Sequence, residues 1–271
     1  MDTGLRQKVV IVTGATANIG RAIALDMASE GARVLAVGRD DRAGQAVVQE
    51  MKDRGASQAI FLAVDLTDGN SGEIIRDRAV CEFGAIDILV NNVGGNASMG
   101  PFAQSDPASW AADLEITLLT VLRVTRAVLP VMIEQRAGRI INIGSTAGSV
   151  GDYLLAVYSA AKGAVHTFTK VLAKEVGPHG IRVNCVAPYA TASDDPAAYS
   201  SGSRFHPEHG FFTQAIPSLS PDDLAKLHRS GPLDRTMARA DEVSAAVTFL
   251  ASERAAFITG QVMYVDGGVQ L

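Results

Sequence analysis

The chain has 271 residues, 47% of them hydrophobic and 20% charged, the composition of a folded globular protein large enough to bury a sizeable core without disulfides or metals. Twenty-four Lys and Arg against 29 Asp and Glu give a net charge of −5, and no basic run occurs, so nothing in the chain would neutralise a polyanion's phosphates and no nucleic acid is expected as partner. Disordered and collagen-like chains are excluded by the same figures.

Short β-branched runs alternate with helical patterns from the start. Residues 8–13 predict a buried strand, 19–30 a helix, 33–37 a second strand, and 41–54 a helix ending at Gly55. Strands follow at 59–64, 86–90, 139–143 and 181–186, each an unbroken apolar run of the kind covered on both faces. Between them 72–83, 108–135 and 158–176 have helical periodicity, and 241–251 and 261–265 predict a last helix and strand. The rhythm predicts an α/β fold: one Rossmann-type, doubly wound parallel sheet with helices on both faces, in a single domain over 1–271.

Residues 188–232 break the pattern. They hold six prolines (188, 196, 207, 217, 221, 232) and five aromatics, Tyr189, Tyr199, Phe205, Phe211 and Phe212. A stretch this irregular is expected to be an insertion without regular structure, serving as a substrate-binding loop or lid, with a disordered loop as the competing reading. No apolar run approaches the ~18 residues of a membrane span, and the polar first eight residues run straight into a strand, so no membrane and a cytoplasmic location are expected. Cys81 and Cys185 are expected to be buried, reduced thiols. His206-Pro-Glu-His209 has the look of a ligand pair, but proline interrupts the helix that would align the rings, and no metal is expected.

After the first strand, Thr13-Gly14-Ala-Thr-Ala-Asn18-Ile19-Gly20 puts a glycine-bearing turn at the head of a helix, where unpaired N–H groups and the positive helix end receive an anion. Gly14 would make the tight turn, and Gly20 would let the helix approach the sheet. No Gly-Lys-Ser/Thr follows, which excludes a mononucleotide P-loop. Further on, Tyr158 and Lys162 stand four apart on one helical face, with Ser145 thirteen residues before the tyrosine. A phenol with pKa near 10 is a poor acid or base at neutral pH, and a neighbouring ammonium is expected to lower it.

These segments, with Asp65-Leu66, Asn91-Asn92-Val93-Gly94 and the tail Ile258-Thr-Gly-Gln and Val265-Asp-Gly-Gly, resemble in order and spacing the classical short-chain dehydrogenase/reductase family over residues 8–268. The resemblance implies a reversible oxidoreductase moving a hydride between a secondary alcohol or ketone and a nicotinamide cofactor. It implies Ser145, Tyr158 and Lys162 as catalytic residues, and Gly14, Thr16, Ala17, Asn18, Ile19, Gly20, Arg39, Asp65, Leu66, Asn92, Gly94, Tyr158, Lys162, Pro188 and Thr191 around the cofactor. Asp65 and Leu66 would flank the adenine, and Asn92 would face the adenosine ribose. Ser145, Asn96 and Tyr189 are expected at the substrate.

At the end of the second strand Gly38 replaces the acid that would bind a ribose 2′-hydroxyl, and Arg39 follows, which favours NADP(H), with NAD(H) the alternative through Asp40. The chain departs from the family pattern at Asn18, where a glycine is usual, at Thr117, where an Asn supports a proton relay, and at Tyr189, where a Gly follows the proline. The irregular stretch suggests an apolar, cyclic or aromatic small-molecule substrate. The alternatives are a 3-oxoacyl-(acyl-carrier-protein) or acyl-CoA reductase, for which Arg136 holds one of two basic docking positions and His179 replaces the other, and a catalytically weak nucleotide-binding regulator. A homo-oligomer, dimer or tetramer, is expected through the helices at 108–135 and 158–176.

Overall fold

In the computed structural model, which describes residues 2–193, 195–200, 203–204, 206–208, 210–233 and 235–271, the alternating pattern becomes a seven-stranded sheet in the order β3-β2-β1-β4-β5-β6-β9, every pairing parallel. The elements run β1 (Val9–Thr13), α1 (Asn18–Ser29), β2 (Arg33–Gly38), α2 (Asp41–Asp53), β3 (Gln58–Ala63), α3 (Ser71–Phe83) and β4 (Ile88–Asn91). Then come α4 (Pro107–Leu114), a π turn over Glu115–Leu119, α5 (Thr120–Gln135), β5 (Gly138–Ile143), α6 (Ala147–Val150), α7 (Ala156–Val176) and β6 (Ile181–Pro188). Beyond them lie β7 (Thr191–Ala192), α8 (Phe211–Ala215), α9 (Pro221–Leu227), β8 (Ala238–Arg239), α10 (Ala240–Ala251) and β9 (Val262–Val265).

Alternation along the central strands divides the core in two. Val10 and Val12 of β1 pack on one face with Ile23 and Met27 of α1 and Val243 and Val247 of α10. Val9 and Ile11 face the other side, against Ile75 of α3, Val124, Val128 and Met132 of α5, and Leu172 of α7. Both faces are covered, which is why these strands read as continuous apolar runs. Strand order reverses between β1 and β4, and the loops leaving the C-terminal ends of those two strands open the crevice where such sheets bind ligands.

The structure differs from the sequence-based expectations in several places. The ladder of β4 begins at Ile88 because the Gln135 side chain takes both backbone groups of Ile86, accepting from its N–H at 3.0 Å and donating to its carbonyl at 2.8 Å. The helix expected over 108–135 is interrupted by the π turn, the kind of bulge that collects at functional sites. By length and composition the run Pro107–Gln135 is apolar enough to cross a membrane, contrary to expectation, yet Val121, Val124, Val128 and Met132 are buried against the sheet. Cys185 is buried but Cys81 is exposed.

The 188–232 stretch holds more regular structure than expected. β7 pairs in parallel with β8, and α8 and α9 are short helices. Ser220 caps α9, its Oγ accepting from the Asp223 N–H at 3.1 Å. Helices of five and seven residues are too short to show a period in sequence. Phe205 and His209 lie outside the described residues.

Candidate active site

A cavity of about 1400 Å³ runs across the C-terminal edge of the sheet, from Gly14 and Arg39 at one end to Ser145, Tyr158 and Tyr189 at the other. Gly14, leaving β1, has φ +65°, a conformation open to glycine and strained for other residues. A Cβ on Gly20 would stand 2.1 Å from the Gly14 carbonyl oxygen and 2.4 Å from Asn92 Nδ2, so only glycine lets α1 start this close to the turn. Ala17 provides the N-cap of α1 without any side-chain hydrogen bond, leaving the first N–H groups for another acceptor.

Asn92 has a part in the fold besides the one expected of it. Its amide donates to the carbonyls of Thr13 at 3.0 Å and Gly14 at 3.2 Å, tying β4 to the glycine turn, so its side chain shapes the cradle while still lining the cavity. Asn18 sits at φ 42° and its Nδ2 donates to the Thr191 carbonyl at 3.0 Å, while its buried Oδ1 has no hydrogen-bond partner among the described residues. An Asn tolerates this backbone and adds a tether a glycine would lack. Thr16, whose Oγ1 meets Ser200 Oγ at 3.4 Å, and Ile19, packed on the core, complete the turn.

At the end of β2, a Cβ on Gly38 would press on Thr16 Cγ2 at 3.0 Å, and the glycine presents no acid to a ribose. Asp40 caps α2, its Oδ1 accepting from the Ala43 N–H at 3.0 Å, and also lines the cavity. Arg39 is largely exposed and stands 3.6 Å from Asp65, whose carboxyl the Thr67 N–H and hydroxyl hold below the usual range. Leu66 is buried beside them. The open helix end, the glycine cradle and the exposed guanidinium of Arg39 together fit a dinucleotide.

At the far end Ser145 follows β5, and Tyr158 and Lys162 rise from the first turns of α7. Lys162 is 3% exposed, donates to the Ile143 carbonyl at 2.7 Å and stands 5.8 Å from the centre of the Tyr158 ring. Burial lowers the lysine to about 8. A Cβ on Gly94 would come within 2.9 Å of Lys162 Nζ, so a larger residue there would press the ammonium out of place. The Tyr158 phenol is pushed up by burial, and it is the Ser145 hydrogen bond and the charge of Arg204 that pull it back. Lys162 holds its ammonium beneath the ring and spends one hydrogen bond on the Ile143 carbonyl.

Thr117 occupies the π turn, fully buried, its hydroxyl donating to the Gly95 carbonyl at 2.6 Å and accepting from the Gly95 N–H at 3.1 Å. It ties the loop after β4 to the π turn. Asn96 is buried on the cavity wall, its Nδ2 donating to the Ser98 carbonyl at 3.1 Å. Tyr189 follows Pro188, the last residue of β6. Its hydroxyl accepts from the Arg229 N–H at 3.0 Å and its ring centre lies 5.2 Å from that guanidinium, which pairs with Asp152. Thr191 donates to the Tyr189 carbonyl at 2.8 Å. The structure also brings Arg204, Phe211, Phe212, Ile216, Leu224 and Leu227 to the wall. Their stretch was legible as a candidate lid; which of its residues turn inward was not.

Behind this end, His166 is buried and held at about 4, chiefly by burial and then by Lys162 and Lys170. Between pH 6.5 and 4 the unfolded chain takes up a proton that the folded one refuses, so stability falls as pH falls through that window and the loss levels off below it. The full extent is about 3 kcal/mol. Urea unfolding of wild type and His166→Gln across pH 7 to 4 is expected to show the variant losing that much less; parallel curves would place the proton elsewhere.

Residues 8–202 match the family model described as short chain dehydrogenase. The chain is similar to the 3-oxoacyl-(acyl-carrier-protein) reductase of Escherichia coli strain K12, 36% identical over 97% of this chain and 98% of that protein. It is similar to the 1,6-dihydroxycyclohexa-2,4-diene-1-carboxylate dehydrogenase of Acinetobacter baylyi, 37% identical over 97% and 96% of the two chains. The cis-4-hydroxycyclohexanecarboxylate dehydrogenase of Sinomonas cyclohexanicum is 34% identical over 99% and 98%.

Proposed function

The chain belongs to the short chain dehydrogenase family, an oxidoreductase acting on CH–OH groups with a nicotinamide cofactor, and from that premise we propose that it interconverts a cyclic secondary alcohol and its ketone. The observation that carries the proposal is the convergence of Ser145, Tyr158 and Lys162 on one end of a cavity whose other end is a glycine cradle at a helix N-terminus.

A bound nicotinamide would supply the hydride acceptor for the alcohol carbon in oxidation and the hydride donor for the ketone in reduction. Gly14, Thr16, Ala17, Asn18, Ile19 and Gly20 would hold its pyrophosphate, Asp65, Leu66 and Asn92 would line its adenosine half, and Gly94, Lys162, Pro188 and Thr191 its nicotinamide half. Tyr158 takes the hydroxyl proton in oxidation and gives it back in reduction. Ser145 hydrogen-bonds both the phenol and the substrate oxygen, aligning the proton path. Lys162 places positive charge beneath the ring. Asn96 and Tyr189 bound the substrate, and 188–232 serves as the lid over it.

NADP(H) is the favoured cofactor: Gly38 leaves no acid to repel a 2′-phosphate, Asp40 caps a helix, and Arg39 offers a fork to one. The carrier-protein reading is kept by one observation, Arg136 standing exposed beside the Pro178 carbonyl, where an acidic carrier would find it. The test is a panel of ring alcohols, ring ketones and an acetoacetyl thioester, run with NADPH and NADH. Ring substrates with NADPH are expected to give the highest kcat/KM; a preference for the thioester selects the second reading, and cofactor binding without any turnover selects the regulator.

A homo-oligomer in the cytoplasm completes the proposal. Leu114 and Leu119, in and beside the π turn, and Val171 of α7 are exposed apolar side chains on the helices expected to pair. Light scattering is expected to give a dimer or tetramer, and a monomer at micromolar concentration would count against it.

A further inference from the structure

The proposed lid carries one cation whose hydrogen-bonding edge the proton chemistry leaves unused. Arg204, between β7 and α8, reaches the cavity wall at the Tyr158 end. It packs on the backbone of Gly95, where a Cβ would come within 2.0 Å of its Nε and 2.5 Å of its Cζ, so a glycine at 95 is what admits the guanidinium. Its Cζ stands 5.3 Å from the centre of the Phe211 ring. Burial works against its charge, and the Asp113 carboxylate and the Tyr158 phenol favour it from a distance. Asp113 itself is taken by the Ala97 N–H, and among the described residues no carboxylate forms an ion pair with Arg204.

We propose that Arg204 receives a carboxylate carried by the substrate, so that the ring alcohol or ketone is also an acid. The inference rests on the oxidoreductase reading for its substrate and on the cavity for its chemistry. A cation withdrawn from water without a counter-charge is costly, and a carboxylate relieves that cost through the paired hydrogen bonds that a planar guanidinium is shaped to make. Phe211, Phe212, Ile216 and Leu224 supply an apolar wall for the ring that bears it. A cofactor phosphate would present similar chemistry, but the guanidinium packs on Gly95, the neighbour of the Asn96 proposed at the substrate, and against the Phe211 ring; the titratable groups that face it are Asp113, Tyr158 and Arg39.

Calorimetric titration of the cofactor-saturated protein with cyclohexanecarboxylate and with cyclohexanecarboxamide tests this without requiring turnover. Wild type is expected to bind the acid roughly 10- to 100-fold more tightly than the amide. Arg204→Met binds both alike, with amide affinity and cofactor affinity unchanged, and Arg204→Lys keeps part of the preference. Equal binding of acid and amide by wild type, or a preference that survives in Arg204→Met, overturns the proposal. A Met variant that loses cofactor affinity at an unchanged acid-to-amide ratio assigns the guanidinium to a phosphate and overturns it too. Acid selectivity in a protein that turns over no alcohol or ketone would sink the oxidoreductase reading and leave the carboxylate receptor standing.

Discussion

Tyr158→Phe is expected to lower kcat on the best substrate of the panel by about 10²- to 10⁴-fold, the usual worth of a positioned acid–base group. The substitution removes one oxygen from the reaction end of the cavity and leaves its other end untouched. The cradle is held by Gly14, Gly20 and Asn92, none of which contacts the phenol through a hydrogen bond. Cofactor affinity, read by fluorescence titration, is therefore expected to match wild type. The ring remains to pack over Lys162, so thermal stability should change little. Because burial raises the phenol and Ser145 pulls it down, Ser145→Ala is expected to move the pH profile of kcat/KM to higher pH as well as lower its height. Near-normal turnover in Tyr158→Phe would mean that the substrate proton travels by another route.

Gly20→Ala is expected to cost about 3 kcal/mol of stability and to abolish cofactor binding. The added methyl would lie 2.1 Å from a backbone oxygen, and backbone on both sides of the turn is anchored, to Asn92 on one side and to the sheet on the other. Relief requires α1 to draw back from β1, opening the core at Ile23 and Met27 and displacing the N–H groups that would meet the pyrophosphate. A fall in Tm of roughly 6–12 °C corresponds to that cost in a chain of this size. Gly177→Ala is the control: a Cβ there meets nothing within 4 Å, and its backbone is helical. An alanine at 20 that binds cofactor with wild-type affinity would show that the turn can open without loss, and the tight-cradle account would fall.

Much of the architecture was legible because parallel strands covered on both faces must be apolar throughout, and the crossovers between them must be long and helical. The glycine turn was legible because only glycine tolerates the positive φ of residue 14 and the close approach at residue 20. Ser145, Tyr158 and Lys162 were legible by spacing, since a helix of known pitch brings residues four apart together. What spacing could not say was where the ammonium spends its hydrogen bonds. The answer, the Ile143 carbonyl, depends on a strand neighbouring the helix in space.

Thr117 shows the same division. Its departure from the family pattern was visible in the chain, but that its hydroxyl serves both backbone groups of Gly95 depends on a π turn, and a π turn leaves no signature in composition. Asp40, considered as a ribose ligand, also caps α2, which the sequence did not show because a helix boundary is defined there only within a residue or two.

The sequence by itself determined the sheet, its helices and the residue types at the reaction end, because local periodicity and glycine's conformational freedom act within a few residues. The tertiary structure alone decided which side chain of the irregular 188–232 stretch meets the cavity, what lies beside the phenol and which polar groups are left without partners. Burial and charge act through space: Arg204 and Tyr158 are 46 residues apart in the chain and electrostatic neighbours in the fold.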